Sequence, residues 1–132
     1  LGLPIQNMKK GNITSPFGHR SSPGGIGSTN HMGLDIGFPT GTHVLACEAG
    51  KVEVAGWNGG FGKCIIISHG GGLKTVYGHL SKINVTKGQA VARGQFIGEV
   101  GSTGDSTGPH LHLGVTVNGS YVDPQKGWLS IP

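Results

Sequence analysis

Glycine interrupts this chain too often for a long helix to form. Its 132 residues include 27 glycines and seven prolines. A glycine in a helix interior costs about 1 kcal/mol relative to alanine, and a proline about 3 kcal/mol. No stretch long enough for a helix carries a clean apolar stripe without one of the two. The glycines follow no Gly-X-Y period, which excludes collagen. Disorder fits no better, because 35% of the residues are apolar and only 12% charged, and the glycines separate apolar runs instead of replacing them. The reading is an all-β chain, with short antiparallel strands joined by tight turns. A chain of this length can bury a core without staples. Residues 1–132 are therefore taken as one domain, and the start at Leu1 suggests a domain excised from a longer protein.

Individual strands can be placed. Val44 to Cys47 and Lys51 to Ala55 are expected to pair as a hairpin across Glu48-Ala49-Gly50. Cys64 to Ser68 reads as a strand buried on both faces, turned by Gly70-Gly71-Gly72 into Leu73 to Tyr77. Ile83 to Val85, Ala90-Val91 and Phe96 to Val100 follow. His110 to Val117 ends in Asn118-Gly119, a two-residue hairpin signal of type I′, and Tyr121-Val122 returns. Lys87 to Val91 and Arg93 to Ile97 share a basic-Gly-Gln-apolar-apolar pattern. They read as neighbouring strand starts, not as a solenoid repeat. Arg20 to Asn30 is expected to be a long mobile loop facing substrate.

The formal net charge of +4 suits an anionic partner. Only Lys9 and Lys10 are adjacent among the basic residues, so nucleic acid is not expected. No apolar run reaches the roughly 18 residues of a membrane-spanning helix, and no signal peptide is visible. Cys47 and Cys64 have no CxxC partner and lie beside apolar runs. They read as small buried residues, with a single disulfide as the alternative.

Seven histidines are unusual at this size. His110 and His112 alternate on a strand, so both side chains face one way, with Cα atoms about 6.5 Å apart. That spacing lets both serve one centre. His31 and Asp35 would be about 13 Å apart on a straight strand. They could share a metal only if the chain bends, which Gly33 permits. Asp35 lies between Leu34 and Ile36 and needs a partner there. His79 follows a strand at the point where the chain leaves the sheet. Two imidazoles and a carboxylate form a catalytic zinc set with the fourth position open. Remaining histidines can move the proton of the water and steady an oxyanion. The residue set thus points to metal-assisted hydrolysis of a carbonyl compound.

His31-x-x-x-Asp35, Tyr77-Gly78-His79-Leu80-Ser81 and Gly108-Pro109-His110-Leu111-His112 occur in an order and spacing that resembles the lysostaphin-type (LytM-like) zinc metallopeptidases. These are peptidoglycan endopeptidases. Ser15 to Arg20, Pro39 to Thr42, Gly59 to Gly62, Val91 to Gln95 and Gly101 to Gly104 extend the likeness, which covers about 12–124. The resemblance implies a two-sheet, sandwich-like antiparallel core, with long loops walling a narrow groove. It implies one zinc ion per chain, held by His31, Asp35 and His112. His79 and His110 would flank the water, with His110 favoured as base and His79 steadying the oxyanion. Tyr77, Asn30 and Arg20 are candidate substrate contacts. The implied partner is bacterial peptidoglycan peptide, the implied location extracytoplasmic, and the chain is taken as a monomer.

Two departures stand out. Family members often carry an aromatic residue and then glutamate after the final ligand, where this chain has Leu113 and Gly114. His43 and His69 match no functional position and read as strand residues. Two rival functions are weaker. A regulatory module on the same fold would lack one of the five site residues, and all five are present. A lipoyl-type carrier would need a modifiable lysine at a hairpin tip, which the segment 87–101 does not offer. The segments 20–30, 57–62 and 101–108 are expected to choose the bond cleaved.

Overall fold

The computed structural model describes residues 1–19 and 30–132, and at 19, 30 and 31 the backbone alone. The loop expected at 20–30 therefore lies outside the described residues, except for the backbone of Asn30.

Twelve strands are described: β1 (Ile13–Ser15), β2 (Gly18–His19), β3 (Asn30–His31), β4 (Leu34–Ile36), β5 (His43–Leu45), β6 (Gly50–Trp57), β7 (Lys63–Gly70), β8 (Leu73–Ile83), β9 (Ala90–Val91), β10 (Phe96–Val100), β11 (Leu111–Val117) and β12 (Ser120–Val122). Two single 3-10 turns, Lys10–Asn12 and Gly59–Phe61, are the only helical pieces among the described residues. The all-β reading holds, and every strand pairing is antiparallel. Hydrogen bonding joins ten strands into one sheet, ordered β1-β4-β11-β8-β7-β6-β9. Off that path β12 pairs with β11, and β10 with both β8 and β5. The ten strands thus form one continuous hydrogen-bonded network. A separate ribbon is formed by β2 and β3.

Local turns set the hairpins that the sequence made legible. Gly71 and Gly72 take φ of 61° and 84° between β7 and β8. Asn118 and Gly119, at 50° and 84°, close β11 onto β12 with both residues left-handed, as a type I′ turn requires. The two basic-Gly-Gln segments form the same turn twice. Gln89 accepts through its side chain from the Thr86 amide at 3.1 Å, and Gln95 from that of Ala92 at 2.9 Å.

The expected hairpin between 44–47 and 51–55 does not form. Strand β5 pairs instead with β10, and β6 with β7 and β9. Ala46 continues away from β6, donating to the Gln95 carbonyl at 2.9 Å and accepting from Gly94 at 2.8 Å.

One face of the central sheet carries the core. Ile65, Tyr77 and Leu113 are cross-strand partners and all fully buried, joined by Leu34, Ile36, Ile67, Leu80 and Leu111. Polar groups in this core are paired in a chain with a definite direction. The Cys47 amide donates to the Tyr77 hydroxyl at 2.9 Å, which lies 2.7 Å from the Thr75 hydroxyl. Thr75 lies 2.8 Å from His69 Nε2, and His69 Nδ1 lies 2.8 Å from the Ala49 carbonyl. A carbonyl only accepts, so Nδ1 carries the proton and each hydroxyl donates toward His69. His69 is thus a structural residue. His43, the exposed residue of β5, stacks on Phe96 with ring centres 4.1 Å apart. Cys47 and Cys64 are both buried and free, with no disulfide. Burial pushes their thiols up to about 12 and about 11.

Ile67 lies in the middle of this core. Ile67→Ala should cost about 2–5 kcal/mol, read as a lower midpoint in urea unfolding. An unshifted midpoint would show that β7 is not part of the cooperative core.

Candidate active site

The opposite face of the same strands carries the site. Because side chains alternate, Gly78 and His112 face away from Tyr77 and Leu113. Strand β11 runs between β4 and β8, and its register sets His112 opposite Asp35 on one side and Gly78 on the other. Asp35 Oδ1 and His112 Nδ1 approach to 3.1 Å, and His110 Nε2 lies 3.5 Å from the same oxygen. His112 is buried, with Asp35 and His110 each only about one-sixth exposed in their side chains. His79 reaches the cluster from β8, its ring centre 4.8 Å from His110 and 6.1 Å from His112.

The approach of β3 to β4 depends on Gly33. The chain bends there, between His31 and the start of β4. The reason for glycine is space, since Gly33 does not adopt a left-handed φ. A Cβ at this position would lie 2.5 Å from the Leu113 carbonyl and 2.9 Å from His112 Nε2. The bend brings the backbone that follows His31 against the buried imidazole.

At Gly78 too the reason for glycine is space. A Cβ there would meet the Phe61 ring at 3.1 Å. Phe61 thus rests on Gly78 and packs its ring 5.2 Å from that of His112 and 6.5 Å from that of His79.

Both free histidines are held by main-chain oxygens. His79 Nδ1 lies 2.7 Å from the Thr103 carbonyl. His110 Nδ1 lies 2.9 Å from the Gly108 carbonyl and 3.2 Å from Ser106 Oγ, whose own proton goes to Gly108 at 2.8 Å. Carbonyls only accept, so each Nδ1 carries a proton. In the neutral rings each Nε2 therefore presents a lone pair. Burial holds His79 below the ordinary histidine range. The Thr103 bond opposes that shift, the positive ends of His110 and His112 add to it, and Asp35 opposes it. Thr103 also ties its loop to strands β7 and β8. Its hydroxyl accepts from the Lys63 amide at 3.0 Å and donates to the Leu80 carbonyl at 2.6 Å.

The sequence-expected residues divide clearly. Asp35, His79, His110 and His112 come together. His31 has a described backbone alone, paired with Gly18. Arg20 and the side chain of Asn30 lie outside the described residues. Tyr77 is corrected: it is fully buried, with its hydroxyl spent in the core chain, and offers no surface to a substrate. Phe61, Thr103 and Ser106 were not singled out as site residues, and Gly108 entered only as part of the motif around His110. Phe61 and Thr103 lie in the short segments that extend the family likeness, and Ser106 only in the segment 101–108.

The donor set fits a metal. An imidazole nitrogen and a carboxylate oxygen, buried and 3.1 Å apart, are ligand types that zinc takes. Either a proton or a cation between them satisfies both. No group of three His, Cys, Asp or Glu side chains is complete among the described residues, which do not include the side chain of His31.

Residues 29–124 match the model of peptidase family M23. The chain belongs to this family. It is 40% identical over 131 residues to the DD-carboxypeptidase/endopeptidase Mpg of Neisseria meningitidis serogroup B, covering 99% of this chain and 30% of that protein. A zinc-containing peptidase from Vibrio cholerae superposes with a TM-score of 0.85 at 39% identity, over 98% of this chain and 39% of that one. The catalytic domain of lysostaphin from Staphylococcus simulans does so at 0.81 and 38% identity, over 91% and 95%. The M23 chain described here thus spans under a third of the length of the curated relative, but nearly the whole lysostaphin catalytic domain.

Gly33→Val would push the Leu113 carbonyl or the His112 ring aside. Zinc binding, followed by competition with a chelating dye, should weaken at least about tenfold, and unchanged affinity would show that this close approach is dispensable.

Proposed function

We propose that this M23 domain is a zinc-dependent endopeptidase that cleaves peptide bonds in bacterial peptidoglycan. The observation that carries the reading is the convergence of Asp35, His112, His110 and His79 on one face of the sheet. The donor chemistry of Asp35 and His112 supports them as two of the ligands, with His31 as the third. Bound there, zinc would lower the pKa of water toward 7 and polarise a carbonyl.

The remaining work falls to the protein. His110 Nε2 faces Asp35 Oδ1, so a proton arriving on it meets a carboxylate. This geometry supports His110 as the base. Burial opposes charge on His79, and its Nδ1 proton is committed to Thr103. The neutral ring thus has no N–H to offer an oxyanion, and the oxyanion role inferred by resemblance does not suit this tautomer. His79 instead presents an acceptor at Nε2, suited to orienting water or a substrate amide. Phe61 limits water access to His112 from the side of β8 and fixes the ring plane.

Substrate class follows from kinship. The neisserial relative is named for a DD activity, and bonds between D-residues occur in peptidoglycan stems. Action on cell wall places the domain outside the cytoplasm. No helix among the described residues is long and apolar enough to cross a membrane. One zinc ion per monomeric chain is the stoichiometry to test.

The deciding experiment digests purified peptidoglycans of several cross-link types and analyses the released fragments by mass. Chelation should abolish release, zinc should restore it, and His112→Ala should release nothing. Release that survives both chelation and His112→Ala would refute the reading. A second expectation separates chemistry from metal binding. His110→Ala and His79→Ala should each lower kcat by about 10²–10⁴ while keeping stoichiometric zinc. Loss of zinc from either variant would make that residue a ligand.

A further inference from the structure

Gly114 lies two residues beyond His112 on β11, and the structure shows what covers it. A Cβ built at Gly114 would lie 2.8 Å from Cε1 and 3.4 Å from Cδ1 of Tyr121. The same Cβ would lie 3.4 Å from Val76. The tyrosine ring therefore lies across β11 in the space that a side chain at 114 would occupy.

Register assigns the face. His112, Gly114 and Thr116 alternate onto one side of β11, and Tyr121 is the cross-strand partner of Thr116. From there the ring leans diagonally onto Gly114, one same-face step, roughly 6.6 Å along the strand, from the ligand His112. Phe61 covers the neighbouring position Gly78 on the adjoining strand. Two aromatic rings thus sit on the sheet face that carries the site, each seated on a glycine. They differ at their polar ends. The Tyr121 side chain is part-buried, yet its hydroxyl has no hydrogen-bond partner among the described residues and is not sealed from solvent. A part-buried tyrosine normally spends its hydroxyl on a partner. Burial, together with nearby Cys64, pushes the phenol up and keeps it a neutral donor.

We propose that Tyr121 is a substrate-contacting, specificity-determining residue, with its ring forming one wall of the site and its hydroxyl donating to a backbone carbonyl of the bound peptide. The phenol puts a neutral hydrogen-bond donor on this wall, which favours a peptide segment that presents a carbonyl there. This rests on the endopeptidase reading above.

The test uses the zinc-loaded chain and a peptide released and identified in the digestion experiment. Tyr121→Phe keeps the ring and removes the donor. Its KM should rise about fivefold, the loss of one neutral hydrogen bond, and the rise should exceed any fall in kcat. Gly114→Ala should raise KM similarly by displacing the ring. Adding Tyr121→Phe to it should then change little, because the contact is already lost. Zinc stoichiometry should stay at the wild-type value in all three. A KM for Tyr121→Phe within twofold of wild type overturns the proposal. So does a fall in kcat at constant KM, which would mean that the residue acts through His112. If wild type cleaves nothing, the endopeptidase reading fails and this proposal with it; if wild type cleaves and Tyr121→Phe matches it, this proposal alone fails.

Discussion

Strand β11 is held from both edges, by β4 and by β8, and its register decides whether there is a site at all. Pairing sets His112 opposite Asp35 and Gly78. A slip of one residue would turn His110 and His112 into the core and bring Leu111 and Leu113 out. The apolar face prevents this, because Leu34, Leu111 and Leu113 are buried without exception. The hydrophobic effect thus fixes the position of a polar cluster it does not touch. Burial on one face sets the register, and the register sets the distance between Asp35 and His112.

What the strands position, the loops orient. The segments 57–62 and 101–108 meet beside the site, where the Asp105 amide donates to the Gly60 carbonyl at 2.9 Å and Gly62 lies against the backbone of Thr103 and Gly104. From that junction one loop lays Phe61 against His112, and the other supplies the carbonyl that holds His79. The result is a pair of imidazoles with their tautomers set before any ligand arrives. Preorganisation of this kind removes a cost that would otherwise fall within the reaction.

The parts of this design that were legible in the sequence have local causes. Asn118-Gly119 announced the β11–β12 hairpin because the turn itself demands two left-handed residues. The alternation of His110 and His112 announced a shared face because a strand has a period of two. The pairing of β5 with β10 was not legible, since about fifty residues separate the partners and nothing in Glu48-Ala49-Gly50 forbids a hairpin. Tyr77 misled for a related reason. It stands two residues from His79 in a motif, an even offset that would share a face on a regular strand, but His79 takes a φ of 61° that breaks the alternation, and Tyr77 lies in the core among Ile65 and Leu113. Gly33 was legible as a bend and Gly78 only as part of a motif; the close approaches that require glycine at both were not, because these depend on what lies opposite. The roles of Thr103 and Gly108 were not legible, because both hold a histidine through main-chain oxygen, which every residue possesses.

That last property has an evolutionary consequence. The groups that orient His79 and His110 cannot be deleted by point mutation, since a carbonyl is present whatever side chain is attached. Drift in residue identity at 105 and 107 leaves both oxygens where they are, so long as the backbone path is kept. Insertion or deletion does not. Diversification of this domain should therefore proceed by residue exchange at constant length in this loop, and a change in its length should mark lineages in which the chemistry has been lost or rebuilt.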